Sequence, residues 1–290
     1  MRPSSQLSFA EWTTVPEVDL TSYDVILLNT SGGKDSQVMI DVVFHLAVAA
    51  GVTERLVAVH CDLGRVEWAG TRDLAERQCQ HYGIAFEVVQ APGGDLLEHI
   101  ERRGMFPDNQ NRYCTSDLKR SPVRTLMTRL AERFHGGPHA GPRKANAGRP
   151  CRILNCMGLR AEESPARAKR PAFSYDKAAS NKTRRHVDEW LPIHHWTTDE
   201  VWARIRESNV PHHFAYDLGM PRLSCVFCIF APREALLIGG LHNPELLADY
   251  VGVEGRIRHT FRQNQTLIEI QTALAAGERP RAITTWALCA

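Results

Sequence analysis

The chain has 290 residues, 43% hydrophobic and 23% charged, which is the composition of an ordinary folded domain with an appendage. Its apolar runs are too short to cross a bilayer and Met1-Arg2-Pro3-Ser4-Ser5 leads into no apolar signal core, so a cytoplasmic location without membrane contact is expected. A net charge of +2 excludes a polycation.

In chain order, residues 1–22 read as a polar N-terminal extension. The apolar run 25–28 reads as a buried parallel strand opening onto a glycine-rich turn, and 37–50, apolar at helical spacing, as a helix stopped by Gly51. A second strand is expected at 56–59, ending in His60-Cys61-Asp62-Leu63-Gly64. A helix follows at 71–82 and a third strand at 86–89. The periodicity predicts a long helix over 118–134 and a fourth strand over 153–157. Residues 136–149 and 171–186 read as insertions, 190–193 as an edge strand because Pro192 cannot donate to a ladder, and 198–208 as a helix capped by Thr197 or Thr198. From 232 to 290 the chain reads as helical. Strands alternating with helices predict an α/β fold, a doubly wound, mostly parallel sheet, spanning 23–231 and followed by this helical region.

The chemistry concentrates in Ser31-Gly32-Gly33-Lys34-Asp35-Ser36, between a strand and a helix. Two adjacent glycines let successive amides turn toward one anion, and the helix dipole adds attraction. Lys34, expected to be exposed, brings a full charge, the Ser31 and Ser36 hydroxyls are candidate phosphate donors, and Asp35 is a candidate to position Mg2+ or brace the loop. The spacing matches neither the Gly-x-x-x-x-Gly-Lys-Ser/Thr loop nor a dinucleotide fingerprint. In open parallel sheets ligands sit at the carboxyl ends of strands, which places Asn29, His60, Asp62 and Gly64 near base and ribose, and Gly158, Leu159 and Arg160 near the phosphates. Arg160 is the candidate to neutralise charge at the α-phosphate. Glu163 and Arg167 read either as arginine-orienting groups or as a simple i,i+4 pair.

Eight cysteines are present. Cys225 and Cys228 have a metal-binding or redox spacing, and Arg222 nearby would favour thiolate. Cys61 and Cys79 read as packing residues. Between 160 and 185, Arg160, Arg167, Lys169, Arg170, Lys177, Lys182, Arg184 and Arg185 outnumber Glu162, Glu163 and Asp176, a balance that suits phosphate or nucleic acid as well as a solvated loop.

The loop resembles the PP-loop of N-type ATP pyrophosphatases. Cys114-Thr-Ser-Asp-Leu-Lys119 with Pro122, Gly158-Leu159-Arg160 with Glu163-Ser164 and Arg167, Trp196-Thr197, Tyr216, Gly219, Arg222 and Cys225-Val-Phe-Cys228 resemble the phosphoadenylylsulfate (PAPS) reductase-like branch over roughly 24–232. Within it the chain resembles the ATP pyrophosphatase component of DNA phosphorothioation systems of the Dnd or Ssp type. The resemblance implies ATP and Mg2+ as cofactors, adenylation of a substrate oxygen with release of pyrophosphate, and sulfur insertion. A cysteine desulfurase would be the sulfur donor and DNA a partner, through partner subunits or the 160–185 stretch. It also implies an iron–sulfur cluster, 4Fe–4S, on Cys114, Cys225 and Cys228, with Cys151 or Cys156 as a fourth ligand or one iron left open. Zinc and free thiols are the alternatives. PAPS or adenylylsulfate reduction, tRNA thiolation and a nucleotide-sensing subunit are the competing functions. The ending, Thr285-Trp-Ala-Leu-Cys289-Ala290, lacks the Glu-Cys-Gly-type motif of assimilatory PAPS reductases.

Overall fold

A computed structural model describes residues 18–136 and 148–283 of the chain. Cys289, the start of the N-terminal extension and most of the 136–149 insertion lie outside the described residues.

The sheet has six strands: β1 (Val25–Thr30), β2 (Leu56–Asp62), β3 (Ala85–Gln90), β4 (Cys151–Met157), β5 (Phe173–Tyr175) and β6 (Arg185–Trp190). Their spatial order is β3-β2-β1-β4-β6-β5, and every pairing is parallel except β5 with β6. The chain winds outward from β1 through β2 to β3, then returns to the other side of β1 for β4. That reversal opens a crevice beyond the carboxyl ends of β1 and β4, where ligands bind in such sheets.

Helices cover both faces, which is why the first four residues of β1 are all buried. Ile26 and Leu28 face a core shared with α1 (Lys34–Ala50), α2 (Thr71–His81) and a later helix at Thr198–Ser208. Val25 and Leu27 face the opposite core, with Val123, Leu126, Met127 and Leu130 of a helix at Ser121–Phe134. Burying each such side chain stabilises the fold by about 1.5–3 kcal/mol. The remaining helices are α3 (Leu96–Arg103), a single turn α4 (Tyr113–Thr115), α5 (Ser121–Phe134), α6 (Pro165–Ala168), α7 (Thr198–Ser208), α8 (Arg233–His242), α9 (Pro244–Ile257) and α10 (Leu267–Ala275). Between α4 and α5 a widened π turn spans Ser116–Arg120. Pro122 has no N–H to give the carbonyl four residues back, so the turn before it opens.

Helices α8 to α10 do not stand apart. Leu236, Leu247, Tyr250 and Ile270 share one core with Leu63, Trp68, Leu97, Phe106 and Tyr113. The C-terminal region therefore packs onto the same end of the molecule as the loops that follow β2 and β3.

Two expectations change. Residues 190–193 are not an edge strand: β6 ends at Trp190 and lies between β4 and β5, and Pro192 falls in the turn after it. The edge on that side is β5, inside the 171–186 segment expected to be an insertion. That segment is held by Asp176, which accepts from the Ala178 and Ala179 amides, and by Asn181, which accepts from the Arg184 amide. Helix α7 forms as the sequence predicts, with Thr197 and Glu200 in a reciprocal capping box.

Candidate functional site

The loop after β1 is shaped by its glycines. Gly32 has φ of 69°, and a Cβ there would lie 3.0 Å from the Thr71 carbonyl oxygen. Gly33 precedes the first turn of α1. The Lys34 amide donates to Tyr216 Oη at 2.8 Å, leaving the Asp35 and Ser36 amides without intrahelical acceptors. Ser36 Oγ accepts from the Ser31 amide at 3.2 Å and donates to the Gly33 carbonyl at 2.9 Å. Ser36 Oγ thus braces the loop, while Ser31 is exposed, its Oγ 3.3 Å from Ser36 Oγ.

Lys34 is not exposed as expected: it is 3% accessible, its Nζ bonded to Asp35 Oδ2 at 2.7 Å. The reason is the crowding of α1's first turn between the Tyr216 segment and Arg160. Arg160 Nε donates to Asp35 Oδ1 at 2.6 Å, Nη1 to Glu162 at 2.6 Å and to the Trp196 carbonyl at 3.1 Å, and Nη2 to Thr198 Oγ1 at 3.1 Å. Burial works to raise the Asp35 carboxyl, but Lys34 and Arg160 outweigh it and hold it below the usual aspartate value. The sequence reading gave Arg160 to the phosphates; the fold spends its guanidinium on the protein. Gly158 permits this approach of β4 to α1, since a Cβ there would fall 2.5 Å from the Asp35 carbonyl oxygen.

Two other arginines are better placed for an anion. Arg167 pairs with Glu163, whose carboxylate also accepts from the Arg160 amide at 2.9 Å, so the i,i+4 pair and the orienting role are both present. Burial lowers the pKa of Arg167, and the nearby Arg222 adds to that while Glu163 opposes it. Arg222 Nη1 is buried with no partner among the described residues. Two guanidiniums within electrostatic reach of each other, one with an unused donor, are suited to negative charge.

At the carboxyl end of β2, Asp62 Oδ1 accepts from the Gly64 amide at 2.8 Å. Asp62 and Gly64 line a cavity of about 360 Å³ with Glu67, Trp68, Thr71 and Asn243. Asn29 and His60 stand closer to the sheet. Asn29 Nδ2 bridges to Asn155 Oδ1 at 2.7 Å, tying β1 to β4, and His60 contacts the Thr30 carbonyl and Glu67. Leu159 lies half-buried between Gly158 and Arg160.

The structure brings three of the cysteines together. Cys114, Cys225 and Cys228 pack against one core and lie within electrostatic reach of each other, although more than a hundred residues separate the first from the others. The segment carrying Cys225 crosses the phosphate loop: Tyr216 Oη and Leu223 Cβ lie 3.2 and 3.3 Å from where a Gly33 Cβ would be. Lys119 is exposed and lies within electrostatic reach of these cysteines. Its crowded setting disfavours the charged form, but Cys225, Cys61, Cys114 and Glu67 outweigh that and raise its pKa. Burial pushes the Cys225 thiol up to about 12, and Lys119, not Arg222, is the cation opposing it. Cys151 and Cys156 offer no fourth ligand. They lie in β4 inside the two sheet cores, where burial pushes the Cys151 thiol up to about 12. No three His, Cys, Asp or Glu side chains among the described residues are spaced to hold one metal ion. The three thiols with the Lys119 charge nearby are the donor set that an anionic iron–sulfur cluster would need. Cys79 is a core residue as expected, and Cys61 half packs and half faces Lys119.

The sequence reading did not single out Glu67 and Trp68, which line the cavity, nor the approach of Lys119 to the cysteines and of Arg222 to Arg167. Lys119 carried a signal, its place inside the Cys114 motif; Glu67 and Trp68 carried none.

The family model described as the phosphoadenosine phosphosulfate reductase domain matches residues 25–231. This chain belongs to that family. Its sheet with the loop after β1 and its Cys225–Cys228 segment both fall within the matched region. Among its relatives are an uncharacterized 37.8 kDa protein of Escherichia phage 186, 28% identical over 162 residues, 56% of this chain and 42% of that one. Another is the adenosine 5'-phosphosulfate reductase of Neisseria meningitidis serogroup A, 28% identical over 157 residues, 54% of this chain and 53% of that one. The chain thus spans about half the length of these relatives or less. Among solved structures it is similar to the U34-tRNA thiolase of Methanococcus maripaludis with its 4Fe–4S cluster, at TM-score 0.42 and 15% identity over 97% of this chain and 81% of that one. No helix among the described residues is long and apolar enough to cross a membrane.

Proposed function

We propose that this member of the family is an ATP pyrophosphatase that adenylates a substrate oxygen so that sulfur can replace it, with the DNA backbone as acceptor. The observation that carries the reading is the meeting of two apparatuses on one loop. The segment that closes over Gly33 through Tyr216 and Leu223 brings Cys225 to the same crevice two residues later.

An acceptor oxygen would attack the α-phosphorus of ATP. A new P–O bond forms, the bond to the bridging oxygen breaks, and pyrophosphate leaves. The Asp35 and Ser36 amides with Arg167 and Arg222 would take the charge of the departing group. Lys34 and Arg160 would fix Asp35, leaving it placed to meet Mg2+ brought with the nucleotide. AMP then departs as sulfide takes its place on the acceptor; the sulfur would arrive as the outer sulfur of a desulfurase persulfide, and a thiol reductant would supply the two electrons that bring it to sulfide, leaving as a disulfide. Cys114, Cys225 and Cys228 would hold a 4Fe–4S cluster, whose chemistry there would be to bind that sulfide. Lys119 would balance negative charge there.

Labelled ATP incubated with the protein should give AMP and pyrophosphate on thin-layer chromatography, and host DNA should contain phosphorothioate dinucleotides by mass spectrometry. ADP as the sole product sinks the ATP reading. DNA free of sulfur in a host that expresses the protein and a desulfurase sinks the acceptor. A second reading, adenylylsulfate reduction, is favoured by the names of relatives such as the Neisseria enzyme. Release of sulfite from adenylylsulfate in the presence of a thiol reductant would establish it instead.

A further inference from the structure

Strand β5 is hydrogen-bonded on one side only, to β6. Phe173 and Tyr175, two residues apart, face the same side of it, and they are 38% and 54% exposed. The Tyr175 ring stacks on His186, itself half in solvent, with centroids 4.9 Å apart and planes at 27°. Large rings on an open strand edge invite aggregation unless something covers them or charge guards them. Here the fully exposed charge is positive, with Asp176 half-buried beside Tyr175. Lys169, Arg170, Lys177, Lys182 and Arg184 are all exposed around the strand. Arg170 pairs with Glu189 and Arg184 with Glu132, whereas Lys169, Lys177 and Lys182 have no acidic partner among the described residues.

We propose that β5 and its two flanking turns bind an unpaired DNA strand, its bases stacked on Phe173 and Tyr175 and its phosphates held by Lys169, Lys177 and Lys182. Rings interleaved with cations are the chemistry that holds single strands, because every base has a face to stack and every nucleotide a charge. The two rings sit about 6.7 Å apart along the strand. That is roughly twice the 3.4 Å rise between bases stacked in one strand, so each ring takes its own splayed base. A duplex has no such free faces to offer. The direction is also productive. Phe173 pairs with Trp190 at the carboxyl end of β6, the end of the sheet that carries the phosphate loop, and β5 is reached from Arg167 through Lys169 and Arg170. A strand lying from Tyr175 to Phe173 would lead toward the Arg167–Arg222 pair. This surface rests on the reading of DNA as acceptor and narrows it to unpaired DNA.

The test is fluorescence anisotropy on the whole protein with labelled DNA of about 12 nucleotides, within the span one such site covers. Single-stranded DNA should bind more tightly than the same sequence as duplex. The double variant F173A/Y175A should lose about 30-fold in single-strand affinity, the lower bound for losing two base stacks. F173Y/Y175F should keep it. Lys182→Ala should lower the slope of log single-strand affinity against log salt by about 0.7. Wild-type single-strand affinity in F173A/Y175A, or equal affinity for duplex, overturns the proposal. Tighter, equally ring-dependent binding of RNA of the same sequence overturns the choice of DNA. Pyrophosphate release from ATP separates the two readings: if it persists in the wild-type protein while the rings prove irrelevant, only this surface fails. If the rings bind DNA but no ATP is split to AMP, the surface stands and the adenylation reading fails.

Discussion

Arg160→Ala tests the division of labour in the crevice. In the wild-type protein its guanidinium, 3% accessible, satisfies Asp35 and Glu162 and reaches the Trp196 carbonyl and the Thr198 hydroxyl. Removing it leaves the Asp35 carboxylate to Lys34 alone. Breaking a buried ion pair from one side costs about 3–5 kcal/mol. At this chain length that lowers the melting temperature by roughly 10 °C. Arg160→Lys should recover part of the loss, because an ammonium can reach Asp35 but cannot fork to the other partners. Thermal melts give the first number. Titration calorimetry with ATP, at a temperature where the variant is folded, gives the second, and ATP affinity should fall no more than about tenfold, or 1.4 kcal/mol, since the effect reaches the nucleotide only through Asp35. A near-normal melting temperature combined with abolished ATP binding would refute this reasoning: it would mean that the guanidinium leaves its protein partners to hold phosphate.

Lys34→Ala should slow pyrophosphate release by releasing Asp35, and, because Lys34 Nζ is bonded to Asp35, should weaken ATP binding by no more than about tenfold, or 1.4 kcal/mol, measured by calorimetry. Abolished ATP binding in a variant that stays folded would show that Lys34 leaves Asp35 to hold phosphate. Gly158→Ala should disrupt ATP binding without touching any ligand, because the new methyl falls 2.5 Å from the Asp35 carbonyl oxygen; retained binding in a filter assay would show that the loop can shift at no cost. His213 carries a pH dependence. Its ring accepts from the Ala215 amide and faces Thr71, and burial lowers its pKa to about 4. A histidine held neutral in the fold contributes stability above its unfolded value of about 6.5, and that stability is lost as pH falls toward the folded value. The loss should reach about 2 kcal/mol near pH 5, and H213Q should show a shallower fall in melting temperature across that window.

The sequence by itself determined the β1–loop–α1 unit, the alternation that winds the sheet, and the helix at Thr198–Ser208 with its cap. These are legible because their signals are local. A run of four apolar residues demands cover on both faces, adjacent glycines demand a turn, and a Thr197–Glu200 pair satisfies amides three residues away. The segment 171–186 failed the same test because its polar composition reads as loop. Only the hydrogen bonds offered by β6 make Phe173–Tyr175 a strand. The site itself was decided in three dimensions. Lys34 and Arg160 look like free cations in the sequence and are spent on Asp35 because the sheet reversal brings the end of β4 against the start of α1. Cys114 meets Cys225 and Cys228 because α8 to α10 share a core with residues 63–118, closing the chain's later half over its earlier one. Contacts between residues a hundred positions apart leave no period in the sequence, and they set which charges face the crevice and which are consumed in building it.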